Sequence, residues 1–256
     1  MKRAGGEGSS PPVFLPIGMP RSIGTQRESS LHRQLKSAYA GPAGLTEVES
    51  AGFIADVASA DGGYVEVQTG NFGALKKKAR GLAALGRLKI VYPVIVAKYL
   101  DVFDSGGEKL YRRKSGRAGK IWDLFRELIY APELPFVPNL EIELALVDVA
   151  EERVMDGKGS WRRKGASVRD RKLLDLREQI CLKTPADYLR FVPFARNEEF
   201  TAEDLRQKAK IHLGLARKSL YALARLGIVE RAGKRGRAYL YRLRVSARKK
   251  KWEKPS

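Results

Sequence analysis

One stretch, Leu88-Lys-Ile-Val-Tyr-Pro-Val-Ile-Val96, constrains this chain more than any other. It is nearly continuous in apolar residues and shows no alternation between a wet and a dry face, as a strand buried on both sides requires. Such a strand needs helices packed on both of its faces, so the order of elements around it sets the fold class. A helical pattern over residues 72–85 precedes it and stops at Gly86, a natural position just past a helix end. Residues 51–58 and 63–69 read as two strands joined at Asp61-Gly62-Gly63, a hairpin signal. A first helix over residues 25–40 has Leu31, Leu35, Ala38 and Tyr39 at helical spacing. Thr25 is its expected N-cap, Glu28 completes a capping box, and Gly41-Pro42 ends it. The order helix, strand, strand, helix, strand predicts an α/β domain on a mixed sheet.

The surrounding segments read more coarsely. Residues 1–24 are rich in Gly, Ser and Pro and read as a disordered lead-in. Residues 98–113 suggest a hairpin turning at Ser105-Gly106-Gly107, residues 114–120 a basic glycine-containing loop, 121–130 a short helix and 140–149 a strand. A basic turn region follows, with Asp156-Gly157 and Trp161-Arg-Arg-Lys164. One cysteine, Cys181, cannot close an internal disulfide, and two histidines with one cysteine exclude zinc-finger spacing. With no stretch reading as a signal peptide or membrane span, the expected location is cytoplasmic.

Charge points to the class of partner. The formal charge is +20, and residues 201–256 hold 17 Lys/Arg against 4 Asp/Glu. A cationic surplus that concentrated suits a polyanion, because each phosphate neutralised releases condensed counterions. A basic membrane-surface helix would need a wide apolar face, and the run Arg248 to Lys251 has only Trp252 beside it, so no membrane is expected.

The same region carries a recognisable pattern. Thr184-Pro185 opens a short helix, Thr201 caps a second, and a third runs over residues 213–226 to Gly227. Residues 228–244 then alternate as two strands about a turn at Gly233-Lys-Arg-Gly236. The segment Gly214 to Arg231 resembles the winged helix-turn-helix family. On a helical wheel Ala216, Leu220 and Leu223 share one face, and Arg217, Lys218, Tyr221 and Arg225 another. The resemblance implies that the third helix enters the major groove and that Lys234, Arg235 and Arg237 of the wing touch the backbone.

Near the N-terminus, Gly52-Phe-Ile-Ala-Asp56 and Val65-Glu66-Val67-Gln68-Thr69 carry candidate chemistry. An Asp near one strand's end and a Glu in its hairpin partner can approach closely enough to hold a hard divalent cation. Glu66 and Gln68 share a strand face with Tyr64, while Val65, Val67 and Thr69 take the other. This arrangement resembles the PD-(D/E)XK nuclease superfamily, in its Holliday-junction-resolvase-like branch, over residues 25–96. The resemblance implies that Glu28 is a helical site glutamate and that Asp56 and Glu66 ligate Mg²⁺ or Mn²⁺. Glu28 reads equally as a capping residue, and Glu47 competes for its role. Gln68 stands where the family has its catalytic lysine, and Lys77 or Lys78 of the following helix is the substitute cation. His32 and His212 read as surface or capping side chains.

Together these readings predict a mixed-sheet, restriction-endonuclease-like α/β domain over residues 25–180. A small winged helix-turn-helix follows over 181–245, with a basic tail over 246–256. Two functions compete. One is a Mg²⁺-dependent nuclease acting on double-stranded or branched DNA, the other a non-catalytic DNA-binding regulator whose nuclease-like domain is degenerate. An RNA-binding factor is a third reading, favoured only by the general basicity.

Overall fold

The computed structural model describes residues 29–244, and its first helix, α1 (Ser30–Ala40), begins later than its sequence pattern suggests. Ser29 is the N-cap, its hydroxyl accepting from the amide of His32, and Gly41 closes the helix at a positive φ of 61°. Thr25 and Glu28, like the lead-in and the basic tail, lie outside the described residues.

The sheet is mixed and the class is α/β. After α1 come β1 (Leu45–Ser50), β2 (Phe53–Ala58), β3 (Tyr64–Val67), α2 (Phe72–Leu85) and β4 (Leu88–Phe103). Next are β5 (Lys109–Lys114), a 3-10 turn at Ile121–Leu124 running into α3 (Phe125–Leu128), β6 (Leu140–Val154) and β7 (Ser167–Leu182). Seven strands form one sheet in the order β1-β2-β3-β4-β6-β7, with β5 pairing to the far end of β4. The β3–β4 and β4–β6 pairs are parallel, and the other pairs are antiparallel. The hairpin, α2 with its Gly86 stop and the central strand all fall where the sequence pattern places them. Two strands, β1 and β7, carry no such pattern, and β4 and β6 run longer than the apolar runs that announce them.

The faces of β4 explain its composition. Val91 packs with Val57, Val65 and Val67 under Leu31 and Leu35 of α1. Ile90 and Tyr92 pack with Ala55 and Tyr64 under Phe72, Leu75 and Leu82 of α2. Each such side chain contributes roughly 1.5–3 kcal/mol when fully buried, so a continuous apolar strand is what two covering layers require.

Gly81 shows how tightly α2 sits. A Cβ there would run into the ring of Phe53 on β2. Alanine would add about 1 kcal/mol of helix propensity, yet overpacking costs about 1–3 kcal/mol. Gly81→Ala is therefore expected to lower stability in urea titration, and a gain would show that the α2–β2 packing yields easily.

The C-terminal segment continues the same core. It holds a 3-10 helix (Pro185–Phe191), α4 (Ala202–Ala209), α5 (Leu213–Arg225) and the hairpin β8 (Val229–Arg235) with β9 (Ala238–Leu243). Capping boxes at Thr184 with Asp187 and at Thr201 with Asp204 start its first two helices. The rings of Phe125 and Phe191 stand 4.8 Å apart, and the Trp122 indole donates to the Phe191 carbonyl at 3.1 Å. Lys120 Nζ donates to the carbonyls of Ala209 and Lys210 at 2.7 and 2.8 Å, closing the end of α4. Leu205, Leu215, Leu220 and Leu223 belong to the same buried cluster as Phe72, Ile142 and Leu144.

Candidate functional site

The β2–β3 ladder is short, and its end makes the site. The strands pair at Ala58–Tyr64 and Val57–Val65, so the next pair in register would be Asp56 with Glu66. There carboxylates take over from the backbone. Asp56 Oδ2 accepts from the amide of Val67 at 2.9 Å, and Glu66 Oε1 accepts from the amide of Asp56 at 3.0 Å. Each acid thus satisfies a strand donor that would otherwise be lost to the ladder.

The two carboxylates draw their cations from opposite layers. Lys36 and His32, one turn apart on α1, reach Asp56 at 3.2 and 3.4 Å. Lys78 of α2 reaches Glu66 Oε2 at 2.6 Å. Glu66 is 2% exposed and Asp56 14%, so this is a partly dry charge cluster rather than a surface ion pair. Burial, then the charge of Asp56, pushes the Glu66 carboxyl above its usual range against the pull of Lys78. Burial also works to raise Asp56, but the His32 hydrogen bond, Lys36 and the Val67 amide outweigh it and hold it low.

Of the residues singled out from sequence, Asp56, Glu66 and Lys78 come together. Gln68 does not join them, because its amide nitrogen donates to the Gly70 carbonyl within its own turn. Its backbone amide continues the parallel ladder to Val91. Glu47 reaches Lys36 at 3.5 Å and so stands at the edge of the cluster. Lys77 is exposed. His32 and Lys36 escape the sequence reading: His32 reads there as a surface or capping side chain, and it meets Asp56 instead. Their signal is the i, i+4 spacing on α1 beside the Leu31–Leu35 stripe.

The C-terminal face has a different character. Arg217, Tyr221 and Arg225 are exposed along α5, with Lys218 half-buried and its ammonium 5.7 Å from the ring of Tyr130. Lys234, Arg235 and Arg237 are exposed at the β8–β9 turn, where Gly236 takes a φ of 60°. Lys234 and Arg231 lie against the ring of Tyr239, and Arg235 stands 3.7 Å from Asp204. His212 is the N-cap residue of α5, with no side-chain capping bond.

Acidic residues elsewhere on the sheet are matched by cations. Among the described residues, Glu141, Glu143 and Cys181 bring ligand-type atoms within 4.8 Å of one another. Lys89 bonds Glu143 at 2.6 Å, Lys183 bonds Glu141 at 2.9 Å, and Tyr39 donates to Glu143. On β6, Glu151 meets Arg153, Arg171 and Lys98 at 2.6, 3.0 and 3.3 Å. No helix among the described residues is long and apolar enough to cross a membrane.

The chain belongs to the DUF8091 family, a domain of unknown function, whose match covers residues 29–183. That span runs from the N-cap of α1 to the end of β7. Beyond it, the chain is 32% identical over 222 residues to an uncharacterised protein of Treponema pallidum (strain Nichols), across 86% of this chain and 87% of that protein. No solved structure matches.

Proposed function

We propose that this chain is a DNA-binding protein that cleaves phosphodiester bonds with Mg²⁺ or Mn²⁺. The observation carrying the binding half is the exposed cationic face of α5 together with the basic β8–β9 turn. In this reading α4, α5 and the hairpin act as a winged helix-turn-helix, with α5 entering the major groove and the hairpin meeting the backbone. Replacing Arg217 and Arg225 by Ala is expected to weaken duplex binding. It should also flatten the slope of log affinity against log salt by about 0.9 for each phosphate no longer neutralised. An unchanged slope would remove this surface from the proposal.

The nuclease-like half rests on Asp56 and Glu66 meeting at the open end of a strand pair, in the order helix, strands, helix, strand. Their donor chemistry fits a hard divalent cation, because two carboxylates in a partly dry site, one made protonation-prone by burial and then by the other's charge, are relieved by positive charge. Asp56 and Glu66 would hold the ion, which when bound supplies charge stabilisation to a phosphodiester and acidifies an attacking water. Lys78 pulls Glu66 towards its ionised form and offers a cation at the place where negative charge would develop.

One observation favours the non-catalytic regulator. All four carboxylate oxygens of Asp56 and Glu66 already have protein partners, so an ion must compete with Lys36 and Lys78. Metal-dependent cleavage separates the two readings.

A further inference from the structure

Between the end of β3 and the start of the β5 pairing, β4 has no strand neighbour on one side. Val91 O accepts there from Gln68, and Ile95 O accepts at 2.6 Å from Gly119, in the basic loop after β5. That close approach needs glycine, since a Cβ on residue 119 would stand 2.8 Å from Ile95 O. The alternation that sends the carbonyls of Val91 and Ile95 to this side sends Pro93 there too, and proline has no N–H to leave unpaired. The gap opens into a cleft of about 850 Å³, within the range of ligand sites.

The cleft has an apolar floor, including Pro93, Val94 and Leu215, and a cationic wall of Lys98, Arg117, Lys120, Arg126, Arg171 and Lys210. Asp123 is the one carboxylate among the described residues lining it and takes Arg126, while Glu151, outside the lining, takes Lys98 and Arg171. Arg117 and Lys210 are exposed, and among the described residues neither side chain makes an ion pair. The cleft adjoins the Asp56–Glu66 cluster through consecutive residues. Leu31 lines it and the next residue, His32, meets Asp56; Thr69 lines it two residues past Val67.

We propose that this cleft holds a single strand of nucleic acid by its phosphates, beside the Asp56–Glu66 cluster. The proposal rests on the reading of the chain as a nucleic-acid-binding protein and adds a strand-selective subsite distinct from the face of α5. An unpaired strand or a frayed end can lie along the cationic wall with its bases on the apolar floor, where phosphate contacts and stacking both hold it.

The test uses the full chain and two labelled probes, a short oligothymidylate and a blunt duplex, followed by fluorescence anisotropy across a salt series. The variant is Arg117→Gln with Lys210→Asn, asparagine being chosen because Lys210 has a φ of 52°. Single-strand affinity is expected to fall on the order of tenfold, with the salt slope reduced by about 0.7 for each phosphate no longer neutralised. Duplex affinity should change little. The charge-keeping pair Arg117→Lys with Lys210→Arg should restore single-strand binding. Unchanged single-strand affinity and slope, or no recovery in the charge-keeping pair, would overturn the subsite. Duplex binding without any single-strand binding would also overturn it while leaving the α5 reading intact, and binding of neither probe would overturn both.

Discussion

On the proposed function, the unaltered chain cleaves DNA with Mg²⁺ and melts higher in its presence, and Asp56→Asn is expected to end both. The reason is electrostatic. Asp56 and Glu66 stand at the β2–β3 gap, where burial first, and then the charge of Asp56, make ionisation of Glu66 costly. A cation that binds only the folded chain stabilises it by mass action, by about 2.7 kcal/mol at a hundredfold excess over its Kd. Removing one charged ligand should abolish that gain and several kcal/mol of transition-state stabilisation, a rate loss of about three orders of magnitude at 1.36 kcal/mol per tenfold. Glu66→Ala should behave alike, and Lys78→Ala should cut the rate strongly. Gln68→Lys should keep or raise it, because a lysine on the Glu66 side of β3 would add a cation beside the proposed metal site. Thermal shifts with and without metal, paired with cleavage of linear, branched and single-stranded substrates, decide it. A metal-induced shift without cleavage favours the non-catalytic regulator. No shift at all removes the metal site.

Glu151→Gln is expected to cost about 3 kcal/mol near neutral pH, the largest single loss among the charged clusters. This carboxylate is 2% exposed and is shared by Arg153, Arg171 and Lys98. Burial alone would raise its pKa, but the Arg153 and Arg171 hydrogen bonds and the charge of Lys98 bring it from 4.5 to about 2. That depression, at 1.36 kcal/mol per unit, gives about 3 kcal/mol. Unpairing three cations around a buried acid points to a similar or larger loss. A depressed carboxyl stabilises the fold above its unfolded pKa and loses that contribution as pH falls through its folded one. The gap between wild type and Glu151→Gln should therefore be full above about pH 4.5 and close towards pH 2. Urea midpoints measured across that range would show a constant gap if the network contributes nothing.

The elements legible in the sequence are those whose own pattern decides their structure. Residues 88–96 could be nothing but a doubly covered strand, and α2 carries both its apolar stripe and its Gly86 stop. The sharp N-caps at Thr184 and Thr201 likewise announce the helices after β7. β7 is illegible for a physical reason. Its partner register slips three times along β6, near Leu146, Asp148 and Glu152, so the period of two that marks a strand is broken. Its many charged side chains, ion-paired to β6, then read as loop. β1 is short and largely exposed, with no buried face to announce it. At the site, Asp56, Glu66 and Lys78 are legible because strand parity and helix position constrain them. His32 and Lys36 are not, since a helix face says nothing about which strand it will cover.

The shared core of Phe125, Phe191 and the leucines of α5 has a mechanical consequence. With Lys120 tied to the end of α4 and α5 packed beside α3, the cationic face and the β2–β3 gap share one continuous core instead of sitting on two separate ones. On the proposed function, a duplex gripped by α5 would present its strands to that gap at a set distance and a set phase of its twist. In that role the shared core would act as a ruler, measuring from the point of grip to the bond that is offered.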